Sequence, residues 1–346
     1  MVGPLRTALR GVRPTRSAGR ARAAALLVGF VLAATVLALA GCMRAAPDQW
    51  AQRHPVAETE FPEAPAGPSL DVLVLGDWGK GGPGQRALAE TIAETHRGSP
   101  PRLVITVGDN VYEDGVTSVD DPLWAKVFTS VYTGPFWEAM EFRPTLGNHD
   151  YRGDPDAQVA FSQRDPRWRM PARHYAFDLD VPGGGTARFV ALDTNLGGLT
   201  PEETADQVAW LEGALGMGEG GGWESPTDWV VAYGHHPMVG GGPREPDAAT
   251  LEAFGGLVAE ASDLYLAGHE HITQLVRSDP LPLHGICGGG SGTDDPYRLD
   301  DETPGELAGF TGGGWCLVRL WETQGAVELY DALGRLQYRE LFEPRR

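Results

Sequence analysis

The chain has 346 residues, an apolar content of 42% that is ordinary for a globular protein, and a formal net charge of −19. This length fits one large α/β domain or two smaller ones. The excess of acidic residues repels polyanions, so the composition excludes nucleic acid as a partner.

The first 41 residues differ in kind from the rest of the chain. Residues 1–22 carry six arginines and no acidic residue, and an apolar run over 24–41 ends in Leu39-Ala40-Gly41-Cys42. A positive flank followed by an apolar core is typical of a signal peptide. The final four residues resemble the lipobox of bacterial lipoproteins, in which the cysteine is lipidated. The alternative is an uncleaved membrane anchor, since about 18 apolar residues can just span a bilayer.

We therefore predict a lipoprotein signal peptide over residues 1–41 and export of the remainder. Lipidated Cys42 would anchor the protein to a membrane of a bacterial cell envelope, in the periplasm or at the cell surface. Cleavage before Cys42 leaves 22 basic and 47 acidic residues, a net charge of −25. Residues 42–68 contain five prolines and no apolar period, which predicts an extended Pro/Ala-rich tether.

From residue 69 onward, strand patterns alternate with helix patterns and no second linker interrupts them, so we predict one α/β domain over residues 69–346. The strand patterns lie at 70–77, 102–109, 143–150, 187–195, 228–237 and 263–271, and in the C-terminal part at 283–289, 315–321, 325–332 and 336–342. The helix patterns lie at 86–96, 122–132, 200–215 and 247–261. The third begins with Thr200 as N-cap and Glu203 three residues later, which predicts a capping box.

Two cysteines remain besides Cys42, and both fall in C-terminal strand patterns. Cys287 and Cys316 can form a disulfide in an exported domain. Two buried free thiols are the equal alternative. Neither cysteine belongs to a CxxC pair, which argues against a zinc site.

Five strand patterns end in a glycine that is followed by polar side chains. These endings are Gly76-Asp77, Gly108-Asp109, Gly147-Asn148-His149-Asp150, Gly234-His235-His236 and Gly268-His269-Glu270-His271. A single Gly-Asp pair of this kind is more often a turn. Five in order predict a shared site, because α/β sheets place ligands at the carboxyl ends of their strands. Carboxylates, an amide and imidazoles suit a pair of metal ions, which the two oxygens of Asp109 can bridge.

The motifs GDWG, GDNVYEDGV, GNHD, GHHP and GHEH, with WRMPARHY and LDT between them, are similar to those of the calcineurin-like metallophosphoesterases. Within that family the chain resembles the small, tartrate-resistant type of purple acid phosphatase, over about residues 70–346. The broad family has Asp-x-His in the first motif, where this chain has Gly79. The purple subgroup supplies a tyrosine instead, and Tyr112 occupies that place.

The resemblance implies the ligands of two metal ions. The first ion would be held by Asp77, Asp109, Tyr112 and His271, and the second by Asp109, Asn148, His235 and His269. The family places Fe(III) at the tyrosine site and Fe(II), Zn(II) or Mn(II) at the other.

The resemblance also implies the fold and the reaction. The fold would be a four-layer α/β/β/α sandwich with two mixed β-sheets. The activity would be that of an acid phosphatase acting on small phosphate esters, and we expect a monomer. His149 would protonate the leaving oxygen, while Asp150 would either orient His149 or cap a helix.

One departure from the family concerns the segment after GHHP. The family has a further histidine near the substrate about nine residues beyond the ligand, but residues 238–246 of this chain contain none. His236 or Arg244 could take its place. Two other functions stay open: a phosphodiesterase with two divalent ions, and a non-catalytic surface lipoprotein that binds metal or phosphate.

Overall fold

The computed structural model describes residues 61–216, 227–242, 244–292, 299 and 303–345. The predicted signal peptide, Cys42 and the tether up to residue 60 lie outside the described residues. The end of the predicted tether, residues 61–68, forms neither helix nor strand, and Arg339 Nη1 donates to the Pro62 carbonyl oxygen at 3.0 Å. Within the described ranges, no helix is long and apolar enough to cross a membrane.

The described strands form two mixed sheets. The strands are β1 Leu70–Leu75, β2 Leu103–Val107, β3 Phe142–Thr145, β4 Tyr175–Asp180, β5 Thr186–Ala191, β6 Trp229–Tyr233, β7 Leu264–Ala267, β8 Thr273–Val276, β9 Leu283–Cys287, β10 Glu306–Phe310, β11 Gly314–Leu320, β12 Gly325–Asp331 and β13 Leu336–Phe342. The first sheet has the order β13-β12-β11-β1-β2-β3, and the second has the order β10-β8-β9-β7-β6-β5-β4. The pairs β1/β2, β2/β3, β5/β6, β6/β7 and β7/β9 are parallel, and the other pairs are antiparallel.

The helices follow the strands much as the sequence predicts. Thr200 and Glu203 form the predicted capping box at the start of α4. The helices are α1 Pro83–Thr95, α2 Pro135–Glu138, α3 Pro155–Phe161, α4 Pro201–Ala214 and α5 Ala248–Ala261, with one π turn at Ala125–Thr129 and 3-10 turns at Asp150–Arg152 and Leu196–Gly198.

The two sheets face each other, and helices cover the second sheet on its other side. Along β6, Val231 and Tyr233 belong to the large apolar cluster that both sheets share. Val230 and Ala232, which alternate with them, pack instead with Phe254 of α5 and its neighbours. A strand that is buried on both faces requires a layer on each side. The predicted four-layer sandwich with two mixed sheets is confirmed.

Three strands and three helical segments differ from the sequence-based expectation. The sequence patterns do not predict the short helices α2 and α3. The pattern over 122–132 forms a π turn in place of a regular α-helix, although Trp124 and Phe128 still enter the core. Strands β4, β8 and β10 were not predicted. YAFDLD of β4 alternates inward apolar and outward residues, a strand signal that was not used in the sequence-based prediction. TQLV of β8 and ELAGF of β10 are short and contain residues of weak strand propensity, so their pairing with neighbours determines that they are strands.

Cys287 and Cys316 are joined in a disulfide with a Cα–Cα distance of 5.9 Å. Cys287 ends β9 of the second sheet, and Cys316 lies in β11 of the first. The bridge therefore links the two sheets covalently. Of the two alternatives that the sequence leaves open, a disulfide or two free thiols, the structure has the disulfide.

A buried histidine lies in the second sheet away from the strand-end loops. His284 on β9 is fully buried, and among the described residues neither of its ring nitrogens has a hydrogen-bond partner. Its ring lies 4.8 Å from that of Tyr265. Burial lowers the pKa of His284 from 6.5 to about 3. The folded protein therefore holds this imidazole neutral.

This histidine predicts a loss of stability in acid. The unfolded chain takes up a proton near pH 6.5, and the folded chain takes it up only near pH 3, so stability falls as the pH drops between these values. At pH 5 the loss is roughly 2 kcal/mol. Lowering the pH from 8 to 5 should therefore cost wild type this free energy and leave His284→Phe without the loss. The unfolding free energy of His284→Phe minus that of wild type should rise by about this amount between pH 8 and pH 5. Denaturant titrations at both pH values measure it, and an equal difference at both would contradict the prediction.

Candidate metal centre

The five glycine-containing endings meet where the two sheets present the carboxyl ends of their parallel strands. Asp77 follows β1, Asp109 follows β2 and Asn148 follows β3. His235 follows β6, and His269 and His271 follow β7. Parallel strands end on the same edge of a sheet, which is why residues far apart in sequence come together.

The loops that carry these residues hold unusual backbone conformations. Asp77, Asp109, His269 and His271 all have positive φ angles, between 49° and 72°. Such values are uncommon outside glycine and concentrate at functional sites. A Cβ atom on Gly147 would lie 2.2 Å from Asp109 Oδ1, so only glycine permits this approach of the two loops.

The first group of candidate ligands surrounds the phenol oxygen of Tyr112. That oxygen lies 3.1 Å from Asp77 Oδ1, 2.9 Å from Asp109 Oδ2 and 3.0 Å from His271 Nε2. His271 Nε2 lies 3.2 Å from Asp77 Oδ1. Ligand atoms at about 2.0–2.2 Å from one ion lie about 3 Å apart when they are neighbours on it. The spacing in this group fits one metal ion.

The second group surrounds Nε2 of His235. This nitrogen lies 3.1 Å from Asn148 Oδ1, 3.1 Å from His269 Nδ1 and 3.5 Å from Asp109 Oδ1. His235 Nδ1 lies 2.9 Å from the Val107 carbonyl oxygen, which can only accept, so Nδ1 carries the proton and Nε2 presents a lone pair. A metal-ligating histidine is held in the same way in known sites.

The two groups share Asp109. Its Oδ2 belongs to the first group and its Oδ1 to the second. All seven side chains that the resemblance implies as ligands therefore lie in two adjoining clusters, with one carboxylate between them.

The electrostatics of the clusters fit bound cations. Asp77 and Asp109 are 0% and 1% exposed, and buried carboxylates are costly unless a cation or donors compensate them. Burial, together with both carboxylates, raises the pKa of Tyr112 well above 10. Burial lowers the pKa of His235 to about 3 and that of His269 further. Neutral imidazoles are the form that ligates metals. A bound cation would lower the pKa of the Tyr112 phenol, as it lowers that of coordinated thiols.

His149 lies beside the first cluster. Its backbone N–H donates to Asp109 Oδ1 at 2.9 Å, and its ring lies 4.5 Å from that of Tyr112. The ring Nδ1 is 2.6 Å from the Glu113 carbonyl oxygen, so Nδ1 carries a proton. Nε2 lies 4.0 Å from Asp109 Oδ2 and is the nitrogen on the side of the clusters. This placement suits proton exchange with a bound substrate.

Asp150 is fully buried and receives N–H donors from two ligand-bearing loops. It accepts from the backbone of Gly147 at 2.9 Å, of Asn110 at 3.1 Å and of Val111 at 3.1 Å, and from Gln158 Nε2 at 2.7 Å. Burial and the charge of Asp109 raise its pKa to about 7. Asp150 thus connects the loop after β3 to the loop after β2, which is a different contact from either one that the sequence suggests for it.

This position predicts a loss of metal affinity in Asp150→Asn. The amide group would face N–H donors and leave at least one of them unsatisfied, which disturbs both loops. We expect the metal affinity to fall roughly 10- to 100-fold, as for other residues that support ligands. Competition with a chelator measures it. Asp120→Asn, whose side chain is 76% exposed, is the matched control, and equal affinities in the two variants would contradict the prediction.

His236 and Arg244 both lie next to the second cluster. The His236 ring centroid is 4.7 Å from that of His269 and 5.0 Å from that of His235. Arg244 Nη1 donates to the His269 carbonyl oxygen, and its backbone N–H donates to Glu270 Oε2 at 3.1 Å. The structure thus brings both candidates for the missing histidine to the site.

Two residues of the site escape reasoning from the sequence. Lys80 places its ammonium 4.9 Å from the centre of the Tyr112 ring. Thr194 of the LDT motif contacts His235 and His236 through its hydroxyl group. The position of Thr194 shortly after β5, like the ligands after their strands, is a signal that could have identified it.

Comparisons with known proteins match the chain to phosphoesterases. Residues 70–273 match the family model described as calcineurin-like phosphoesterase. The chain is 27% identical over 290 residues to purple acid phosphatase 4 of Arabidopsis thaliana, covering 77% of this chain and 81% of that protein. It is 25% identical over 299 residues to tartrate-resistant acid phosphatase type 5 of Homo sapiens, covering 78% and 90%.

A solved structure shares the fold. GAP50, described as the anchor in the inner membrane complex of Plasmodium, superposes with a TM-score of 0.69 at 22% identity, covering 80% of this chain and 90% of that one. The match of residues 70–273 to the family model confirms the resemblance that the five motifs carry, and the chain belongs to the calcineurin-like phosphoesterase family.

Proposed function

We propose that the chain is a phosphomonoesterase of the purple acid phosphatase type. A ferric ion would be held by Asp77, Asp109, Tyr112 and His271, and a divalent iron, zinc or manganese ion by Asp109, Asn148, His235 and His269. One observation carries the proposal: the Tyr112 oxygen lies within 3.1 Å of carboxylate oxygens from both Asp77 and Asp109. Three hard anionic ligands in one cluster favour a trivalent ion.

When bound, the two metal ions would supply positive charge that holds the phosphoryl oxygens, and they would lower the pKa of water so that hydroxide is available as the nucleophile. The residues determine how much charge remains. Asp77, Asp109 and Tyr112 contribute three negative charges against five positive ones, which leaves about two positive charges. The net charge of −25 that is expected after cleavage before Cys42 is screened over about 10 Å, so the local charge decides substrate binding.

His149 supplies the proton for the leaving oxygen. Its Nδ1 is fixed by the Glu113 carbonyl oxygen, which holds Nε2 towards the clusters. When the ring is protonated, Nε2 can give its proton to the oxygen of the departing alcohol. General acid catalysis of this kind contributes about 10²- to 10⁴-fold in rate.

The proposal includes an exported, lipid-anchored enzyme. The apolar run and the sequence Leu39-Ala40-Gly41-Cys42 support a lipoprotein signal, and the Cys287–Cys316 disulfide supports an oxidising compartment. Metabolic labelling with a fatty acid tests it: labelling of wild type that is lost in Cys42→Ser is expected, and labelling of neither would refute the anchor.

Metal analysis and a substrate panel test the reaction. The full chain should contain iron and hydrolyse an aryl phosphate monoester faster than the corresponding diester. Faster turnover of the diester by a protein without iron would favour a phosphodiesterase. Binding of metal and phosphate without any turnover would favour a non-catalytic lipoprotein.

Tyr112→Phe tests the metal assignment separately. Wild type should show a visible absorption band from tyrosinate bound to iron, and the variant should lose it, because phenylalanine has no oxygen. Tyr338→Phe, which removes a phenol from β13, is the matched control and should keep the band. An active wild type without iron or colour would refute the purple type and leave the phosphatase class standing.

A further inference from the structure

The disulfide between Cys287 and Cys316 lies close to the loops that carry two ligands of the first cluster. Cys287 is the last residue of β9, and Cys316 lies in β11. Both side chains are fully buried. In the first sheet Cys316 is paired with Val74 of β1, three residues before the ligand Asp77. The bridge therefore joins the two sheets near the point where β1 ends in a ligand.

The segment that begins at Cys287 contacts the loop that carries Asp77. The Cys287 carbonyl oxygen accepts a hydrogen bond from the backbone N–H of Gly76 at 2.8 Å, and Gly76 directly precedes Asp77. The backbone N–H of Gly290 donates to the Gly76 carbonyl oxygen at 3.0 Å. Both backbone polar groups of Gly76 are thus bonded to the end of β9 and the residues after it.

The same segment contacts the loop that carries His271. The backbone N–H of Gly288 donates to the carbonyl oxygen of Ile272, the residue after His271, at 2.8 Å. A Cβ atom on Gly288 would lie 2.7 Å from the His271 backbone nitrogen and 2.9 Å from Asp77 Oδ2. Only glycine leaves room for both neighbours, so the residue next to the bridge lies between these two ligands.

These two ligands come from different sheets. Asp77 follows β1 of the first sheet and His271 follows β7 of the second, so their spacing depends on the separation of the sheets. Two ligands of the second cluster follow strands that are farther from the bridge. His235 follows β6, which β7 separates from β9, and Asn148 follows β3, which β2 separates from β1.

A covalent link between the sheets favours binding of an ion that needs ligands from both. Ligands that are already held at the right spacing bind more tightly, because less ordering is required on binding. Without an ion, the buried carboxylates of Asp77 and Asp109 repel each other, which favours movement of the ligand loops away from each other. The bridge opposes such movement where it would separate the sheets.

We propose that the disulfide is a positioning element of the first metal site. It holds Asp77 and His271 at ligating distance and thereby raises the affinity for the ion beside Tyr112. This inference rests on the proposed function, which supplies the two-metal centre. The cysteines contact neither the ion nor the substrate, and their effect passes through the two ligands.

Competition with a chelator tests this role in the full chain loaded with iron and zinc. The double variant Cys287→Ala, Cys316→Ala removes the bridge and leaves no free thiol at either position. The visible band of tyrosinate bound to iron reports the first ion, and mass spectrometry reports the zinc. We expect the affinity for the first ion to fall roughly 10- to 100-fold, the range for residues that support ligands. The decrease for zinc should be smaller.

Phe342→Ala is the matched control. Phe342 ends β13, and its ring lies 5.4 Å from that of Trp229 at the start of β6, so this contact joins the sheets at the end of β6 opposite His235. Loss of the bridge and loss of this buried ring both lower the unfolding free energy. Only loss of the bridge should weaken binding of the first ion.

Two results would overturn the proposal. One is a double variant that holds the first ion as tightly as wild type. The other is an equal loss in Phe342→Ala, which would show a general loosening of the fold. If the double variant does not fold, Cys287→Ala breaks the bridge with a single substitution and should show the same 10- to 100-fold loss.

The same measurements separate this inference from the proposed function. A wild type that holds both ions but hydrolyses no phosphate ester would refute the phosphatase, and a weakened first ion in the double variant would still support the positioning role. Ester hydrolysis by a double variant with wild-type affinity for both ions would do the reverse. If wild type binds zinc and no iron, competition with zinc alone should show one of two ions weakened in the double variant, and two unchanged ions would overturn the proposal.

Discussion

Asp109→Asn is expected to abolish metal binding at both sites and to remove the phosphatase activity. The carboxylate is the one side chain whose oxygens belong to both ligand groups, with Oδ2 at 2.9 Å from the Tyr112 oxygen and Oδ1 at 3.5 Å from His235 Nε2. An amide offers one oxygen and a positive N–H edge, so it cannot bridge two cations. The loss in metal affinity should exceed the roughly 100-fold limit for residues that only support ligands.

Metal analysis after dialysis measures this effect, alongside the hydrolysis rate of an aryl phosphate. Asp114→Asn is the matched control, because Asp114 lies in the same loop with its side chain 80% exposed. It should bind metal and turn over substrate like wild type. Retention of both ions in Asp109→Asn would refute the bridging role.

His149→Asn is expected to lower kcat by about 10²- to 10⁴-fold while the metal content stays at the wild-type level. The imidazole belongs to neither ligand group, so its loss should affect proton transfer and leave metal binding intact. The effect should be largest for alkyl phosphates and smallest for aryl phosphates with acidic phenols, because a stable leaving group needs no proton.

The dependence on the leaving group distinguishes proton donation from a structural effect. His174→Asn is a suitable control, since the His174 ring packs 4.6 Å from that of Trp210 and makes none of the site contacts described for His149. It should change the rates of all esters equally or not at all. An equal loss for alkyl and aryl esters in His149→Asn would contradict its role as the general acid.

The sequence predicts the ligand set because each candidate ligand follows a strand, and parallel strands deliver their ends to one edge. The apolar runs before Asp77, Asp109 and His235 are nearly continuous, which is the signature of strands that are buried on both faces. No distance is needed to infer that such endings converge. The resemblance then adds the identity of Tyr112 as a ligand, which spacing alone does not supply.

Contacts between loops could not be predicted in the same way. Asp150 bonds to backbone groups of Asn110 and Val111, some 40 positions earlier in the chain, and nothing local in GNHD indicates that pairing. The contacts of the Thr194 hydroxyl group depend on the exact positions of the backbone N–H groups of His235 and His236, which follow β6. The short strands β8 and β10 likewise depend on their partners, since their own residues favour strands only weakly. The alternating sequence of β4, in contrast, could have identified it as a strand.

Anomalous X-ray diffraction from crystals of the full chain tests the central claim most directly. We predict two peaks on either side of the Asp109 carboxylate, about 3.5–4 Å apart, with iron at the peak beside Tyr112. A single peak, or peaks out of ligating distance of Asp109, would contradict the account.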